Sequence, residues 1–168
     1  KNTVYEEQNK WYFEPDLNVN EGYRIRNKHG VYLFNDETIL QIIKQSGNNN
    51  DSYLIKNSST NEYMYTYNVP EIPNLIKIGF SPTKTFNNSF LFNIKSDISK
   101  ISYPLYNSIL RKDFIPGDYI IKSYLYSSKT LISDIYKNKI TYDLIDINNS
   151  YKLDFVKLSS KLKPIYKL

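Results

Sequence analysis

The sequence predicts an all-β chain, an antiparallel sandwich of about eight to ten short strands with room for one short helix. Three observations carry this expectation. The first is the run Ile115-Pro116-Gly117-Asp118-Tyr119-Ile120-Ile121-Lys122-Ser123-Tyr124-Leu125-Tyr126. There Pro116 pre-sets φ for a turn and Gly117 accepts the position after it, so the chain reverses into an alternating strand. The second is composition: 15% aromatic, with 17 Tyr and 8 Phe, and no Ala at all. Rings suit half-buried pleated surfaces, and a chain without Ala lacks the best helix former. The third is the recurrence of turn signals at intervals of about 8–12 residues.

Within residues 1–17, Trp11-Tyr12-Phe13 followed by Glu14-Pro15-Asp16 reads as a short strand closed by a turn. Residues 23–26 alternate, 27–30 turn, and 31–34 return, which is a hairpin signal. Residues 38–45 fit either period, since Ile39, Ile42 and Ile43 also satisfy helical spacing. Their β-branched content favours a strand. A polar loop over 46–52 leads to the clearest hairpin of the first half: 53–56, a turn over 57–61, and 62–69. Pro70, Pro73 and Pro82 punctuate what reads as an irregular connection around residues 75–80, because proline removes a ladder donor.

From Phe86 the alternation recovers, with Phe90, Phe92 and Ile94 expected on one face; 95–112 is polar and has space for a helical turn. The Pro-Gly strand follows, with Tyr119, Ile121 and Leu125 expected inside, and then strands over 131–136 and 140–147. Residues 1–150 are therefore expected to form one β-sandwich domain, and 151–168, where Leu153, Val156, Leu158 and Leu162 are spaced between lysines, a C-terminal tail or linker. A chain that begins at Lys1 reads as a segment of something longer, and no stretch approaches the roughly 20 apolar residues of a membrane span.

Composition also narrows the chemistry. With no Cys, disulfide frameworks, thiolate metal sites and cysteine nucleophiles are excluded. His29, the one histidine, lies in a Lys-His-Gly turn without His or Cys partners, and Asp36-Glu37 resembles a solvated loop. Neither marks a catalytic or metal centre, and no cofactor is expected. The glycines, at 22, 30, 47, 79 and 117, are too scattered for a phosphate loop. The net charge of +5 rests on lysine, with Arg only at 24, 26 and 111. A reader of bases would favour Arg, so nucleic acid is the weakest partner class; richness in Asn, Ile, Lys and Tyr instead carries the mark of an AT-rich genome.

The pattern that does point to binding is Tyr63, Tyr65 and Tyr67, which alternation places on one face of a strand opposite Glu62, Met64 and Thr66. Such a ladder serves as a stacking platform for sugar rings, with Asn61 and Asn68 nearby as hydrogen-bonding groups, or as ordinary cross-strand packing. Trp11 in its aromatic knot invites the same two readings.

Residues 53–69, Asn87-Asn88-Ser89-Phe90-Leu91-Phe92-Asn93-Ile94 and Ile115-Pro116-Gly117-Asp118-Tyr119-Ile120-Ile121, taken in order, resemble the Ig-like accessory β-sandwiches of bacterial cell-surface polysaccharide enzymes and exporters. The resemblance spans roughly residues 53–147. It implies an Ig-like antiparallel β-sandwich with a non-enzymatic, extracytoplasmic or cell-surface role, binding or positioning carbohydrate as an accessory to larger glycan-modifying machinery. Membrane contact would come only through flanking segments. The first alternative is an interaction module, such as an adhesin, phage-fibre or viral surface domain, whose partner is a protein; the second, and weakest, is a single-stranded nucleic-acid binder using Lys and Tyr.

Overall fold

The computed structural model describes residues 9–45, 52–96, 113–127, 129–136 and 139–146. The expected loop over 46–51, the polar stretch over 97–112 and the tail over 151–168 lie outside these residues. The described chain is almost wholly strand: β1 Trp11–Pro15, β2 Gly22–Asn27, β3 Leu40–Lys44, β4 Ser52–Asn57, β5 Glu62–Asn68, β6 Ile76–Ser81, β7 Phe92–Ser96, β8 Gly117–Ser123, β9 Lys129–Tyr136 and β10 Lys139–Asp146. Every pairing between them is antiparallel. The fold is all-β and sandwich-like, as the spacing of turns predicts.

Two strands make the sheet branch. β8 pairs with β7 along one edge, while its other edge is divided: Gly117–Tyr119 face β1 and Lys122 faces Thr130 of β9. β4 is divided in the same way, with Ser52 and Tyr53 against β7 and Lys56 and Asn57 against β5. The strands β1-β2-β3-β4-β7-β8 therefore return to β1, and β5-β6-β10-β9 bridge from β4 to β8 on the other side. A chain closed in this way exposes little unpaired backbone at its edges.

One core fills the interior, and each of the ten strands contributes to it, from Trp11 and Phe13 of β1 to Leu144 of β10. Period-two alternation explains which residues go in. In β8, Tyr119, Ile121 and Ser123 are buried; in β1, Trp11 and Phe13 are buried while Tyr12 and Glu14 lie outward. The densest packing is a knot of rings. Phe13 lies 5.5 Å from Tyr23, 5.3 Å from Phe114 and 4.7 Å from Tyr119, and Phe114 lies 5.0 Å from Tyr119 and 5.1 Å from Tyr53. The tilted and edge-on geometries are those aromatic quadrupoles prefer. Two buried polar side chains are paired across long sequence distances. Trp11 Nε1 donates to the Leu131 carbonyl at 3.0 Å, and Asn27 Nδ2 donates to Ser133 Oγ at 2.7 Å.

Several sequence expectations change here. Residues 76–81 are strand, not an irregular connection: β6 lies between β5 and β10 and pairs with all of Tyr63 to Asn68. Pro70 and Pro73 occupy the reversal before it and Pro82 follows its last residue, so none of the three interrupts a ladder. Residues 31–34 form no strand but a single bridge, Arg26 to Tyr32, because Phe34 adopts φ 76° and turns the chain away. Phe90 does not share the face of Phe92 and Ile94. It ends a 3₁₀ turn, Asn88–Phe90, capped by Asn87 Oδ1, and its buried ring packs against Tyr65 and Phe86. Leu125, expected inside, is 46% exposed because β8 has ended at Ser123. Among the described residues no helix is long and apolar enough to cross a membrane.

Candidate functional site

The alternation of β5 separates two sides cleanly. Met64 and Thr66 are buried, at 0% and 3% exposure, so Tyr63, Tyr65 and Tyr67 must stand on the outer face. Residues from elsewhere extend the ladder. Phe86 meets the Tyr63 ring edge-on at 4.6 Å and Phe90 at 5.4 Å; Phe90 lies 5.4 Å from Tyr65, and Tyr65 lies 5.9 Å from Tyr67. The rings form a continuous aromatic strip along β5, bounded on one side by the segment that carries Phe86 and Phe90. Thr66 Oγ1 donates to the Ser89 carbonyl at 3.3 Å and fixes that segment against the strand. Tyr67 and Phe86 remain open to solvent, at 39% and 38%.

Across the ladder, β6 leaves room for the strip. Tyr65 pairs with Gly79, and a Cβ built at Gly79 would lie 3.0 Å from Tyr65 Cζ and Oη. The Tyr65 ring therefore lies down over bare backbone, a site that any side chain would contest. Tyr67 pairs with Lys77, and Lys77 pairs in turn with Asp143 of β10, where the ammonium and carboxylate form an ion pair. At the opposite end Lys56 of β4 pairs with Tyr63 and holds its Nζ 5.8 Å from the ring centroid. The strip thus runs between a neutralised ion pair and a lysine.

Of the other residues expected at a binding surface, none joins this strip. Trp11 is fully buried, its indole N–H satisfied by the Leu131 carbonyl and its ring 6.4 Å from Tyr142, so it belongs to the core and has no face for a ligand. Asn61 adopts φ 62°, a left-handed position asparagine tolerates, and its N–H donates to the Asn57 carbonyl; it shapes the β4–β5 turn. Asn68 is exposed, but alternation sets it on the side of Met64 and Thr66, away from the tyrosines. Sequence reasoning in turn missed Lys56, Gly79, Phe86 and Phe90. Lys56 was within reach by counting back through the 57–61 turn to its partner Tyr63. Phe86 and Phe90 carry no local signal, since only the tertiary fold lays them against β5.

A second polar surface lies outside β1 and β2. Arg26 packs its guanidinium 4.5 Å over Tyr12 and pairs with Glu14 at 2.7 Å; Tyr32 donates its hydroxyl to Glu14 at 3.1 Å; Arg24 pairs with Asp16 at 3.1 Å and donates to the Asp36 carbonyl. The hydrogen bond to Glu14 holds the Arg26 guanidinium above its usual range, and desolvation raises the Tyr32 phenol. These charges satisfy one another, so this face reads as a cross-strand lattice that sets register. No group of three His, Asp or Glu side chains suited to a metal ion occurs among the described residues. No protein-family model matches the chain, and no curated protein matches it significantly.

Proposed function

We propose that this domain binds carbohydrate through the aromatic strip on β5, as a non-catalytic, extracytoplasmic recognition module of cell-surface polysaccharide machinery. The observation that carries the reading is a row of tyrosines on the outer face of β5, open to solvent at Tyr67, extended by the exposed Phe86, packed on the buried Phe90 and backed by the buried Met64 and Thr66. The apolar faces of sugar rings stack on such a surface, while the hydroxyls at their rims need polar neighbours, which Lys56, Lys77 and Asp143 supply. Its length agrees with a short oligosaccharide: Tyr63 to Tyr67 spans about 13 Å of strand. The extracytoplasmic, cell-surface setting is supported by the resemblance of residues 53–147 to accessory sandwiches of that machinery. A protein-binding module is the competing reading, since an exposed aromatic strip also suits a protein interface.

A glycan array followed by calorimetry on the best oligosaccharide tests this. Tyr67→Ala combined with Phe86→Ala is expected to weaken binding about tenfold or more, because each exposed ring loses its stacking area. Both residues are solvent-exposed, so the fold should persist with a stability change under about 1 kcal/mol. Failure of every oligosaccharide to bind, or affinity indifferent to the double substitution, overturns the reading; capture of one protein partner by this surface without sugar affinity would replace it.

The glycine under the platform supplies an independent check. Gly79→Ala is expected to lift the Tyr65 ring and weaken the same oligosaccharide several-fold, with stability again within about 1 kcal/mol of the parent. The readout is the affinity together with the Tyr65 ring resonances, and unchanged resonances with unchanged affinity would count against a site that includes Tyr65.

A further inference from the structure

Resting on the carbohydrate reading above, we infer that the preferred ligand is an acidic oligosaccharide, oriented with its anionic group at the Lys56 end of the strip. The two ends of the tyrosine row differ in charge. Beside Tyr67, Lys77 is neutralised by Asp143. Beside Tyr63, Lys56 has no carboxylate partner among the described residues. Glu62, its nearest acidic neighbour in the hairpin, follows the alternation of Met64 and Thr66 onto the opposite side of β5. The Tyr63 ring attracts the Lys56 ammonium and restricts where it sits, so the cation is held beside the platform before any ligand arrives.

A neutral sugar stacked over Tyr63 and Tyr65 would offer that ammonium only hydroxyls. A carboxylate or sulfate on the ring at this end would instead receive a charge-assisted hydrogen bond, the stronger kind. The rest of the molecule has the same bias. Arg24 and Arg26 are paired with Asp16 and Glu14, so the net charge of +5 resides largely in lysines, and an anionic ligand is drawn towards the surface. Polarity follows as well. The chain of sugars runs along β5 with its charged ring over Tyr63 and a neutral ring over Tyr67, whose neighbouring ion pair offers one donor and one acceptor group to hydroxyls.

The test compares a uronic acid trisaccharide, a sulfated trisaccharide and the carboxyl-reduced neutral form of the first, titrated calorimetrically into the whole chain and into Lys56→Gln. At least one acidic form is expected to bind the parent about tenfold more tightly than the neutral form, with the advantage shrinking as salt is raised. Lys56→Gln should abolish the advantage, bringing the acidic forms to the affinity of the neutral form, whereas Lys56→Arg should keep it. Equal affinity for acidic and neutral forms, with Tyr67→Ala still weakening both, overturns the charge preference and spares the carbohydrate reading. Binding of none of the three overturns both.

Discussion

Phe13→Ala is expected to destabilise the fold by about 3–5 kcal/mol, the usual cost of removing a fully buried aromatic ring. Phe13 is 0% exposed and touches the rings of Tyr23, Phe114 and Tyr119, which come from β2, from the segment just before β8 and from β8 itself. The ring joins β1 and β2 to residues 114–119, far along the chain, so no single neighbour can move in to fill the space. A domain of this kind has about 5–15 kcal/mol of stability in total, and the melting temperature should fall by roughly 10 °C or more. Phe13→Leu, which keeps most of the volume, should recover more than half of the loss. Urea unfolding of both variants measures this; a loss under about 1 kcal/mol for the alanine variant would show that the ring knot does not anchor β1.

The strands that were legible in the sequence are those whose turns carry their own chemistry. β4 and β5 flank Asn57 to Asn61, where Asn57 Oδ1 accepts from the Ser59 N–H at 2.9 Å and Asn61 takes the left-handed position. Asparagine favours both tasks whatever surrounds it, so the hairpin was readable from composition. β6 was hidden by its prolines. Their meaning depends on whether they fall inside a ladder or just beyond it, and Pro82 falls one residue beyond Ser81. The return over 31–34 misled for the opposite reason. Its alternation is real, but the Phe34 ring is drawn against Phe80 at 4.7 Å and Tyr142 at 5.6 Å, and the Phe34 N–H donates to the Tyr142 hydroxyl. That non-local packing fixes a backbone conformation no local pattern announces.

The candidate site divides along the same line. Alternation alone placed Tyr63, Tyr65 and Tyr67 together, because period two is a property of the strand itself. It also carried enough information to set Asn68 on the other side. It could not decide between Trp11 and Tyr67, both aromatic and both in strands. Which of them faces solvent depends on what lies across the sheet: for Trp11 the Leu131 carbonyl and the whole core, for Tyr67 open water. The branching of β4 and β8 is similarly global, since a strand with partners shared along one edge looks in sequence like any other.

Alkaline pH is expected to weaken the fold through Tyr119. The residue is 1% exposed, and burial pushes its phenol from the ordinary 10.0 up to about 12. The neutral form is therefore the one the native state holds, with its hydroxyl donating to the Ile115 carbonyl at 2.9 Å across the bend at Pro116. Below pH 10 both native and unfolded chains keep the proton, and the full contribution is present. Between about pH 10 and 12 the unfolded chain releases it while the native chain does not, so stability falls as pH rises, by roughly 2–3 kcal/mol over the interval. Tyr142, whose phenol burial also raises, acts in the same direction. Tyr119→Phe should cost about 1 kcal/mol near neutrality, for the lost hydrogen bond, yet show a shallower decline above pH 10. The curves of parent and variant should therefore converge with rising pH, and curves that stay parallel would mean that Tyr119 ionises as freely in the fold as out of it. Because Tyr119 pairs with Trp11 across the β1–β8 junction where the circuit of strands closes, its ionisation would act at that seam, and unfolding at high pH should begin with loss of the β1–β8 amide protection.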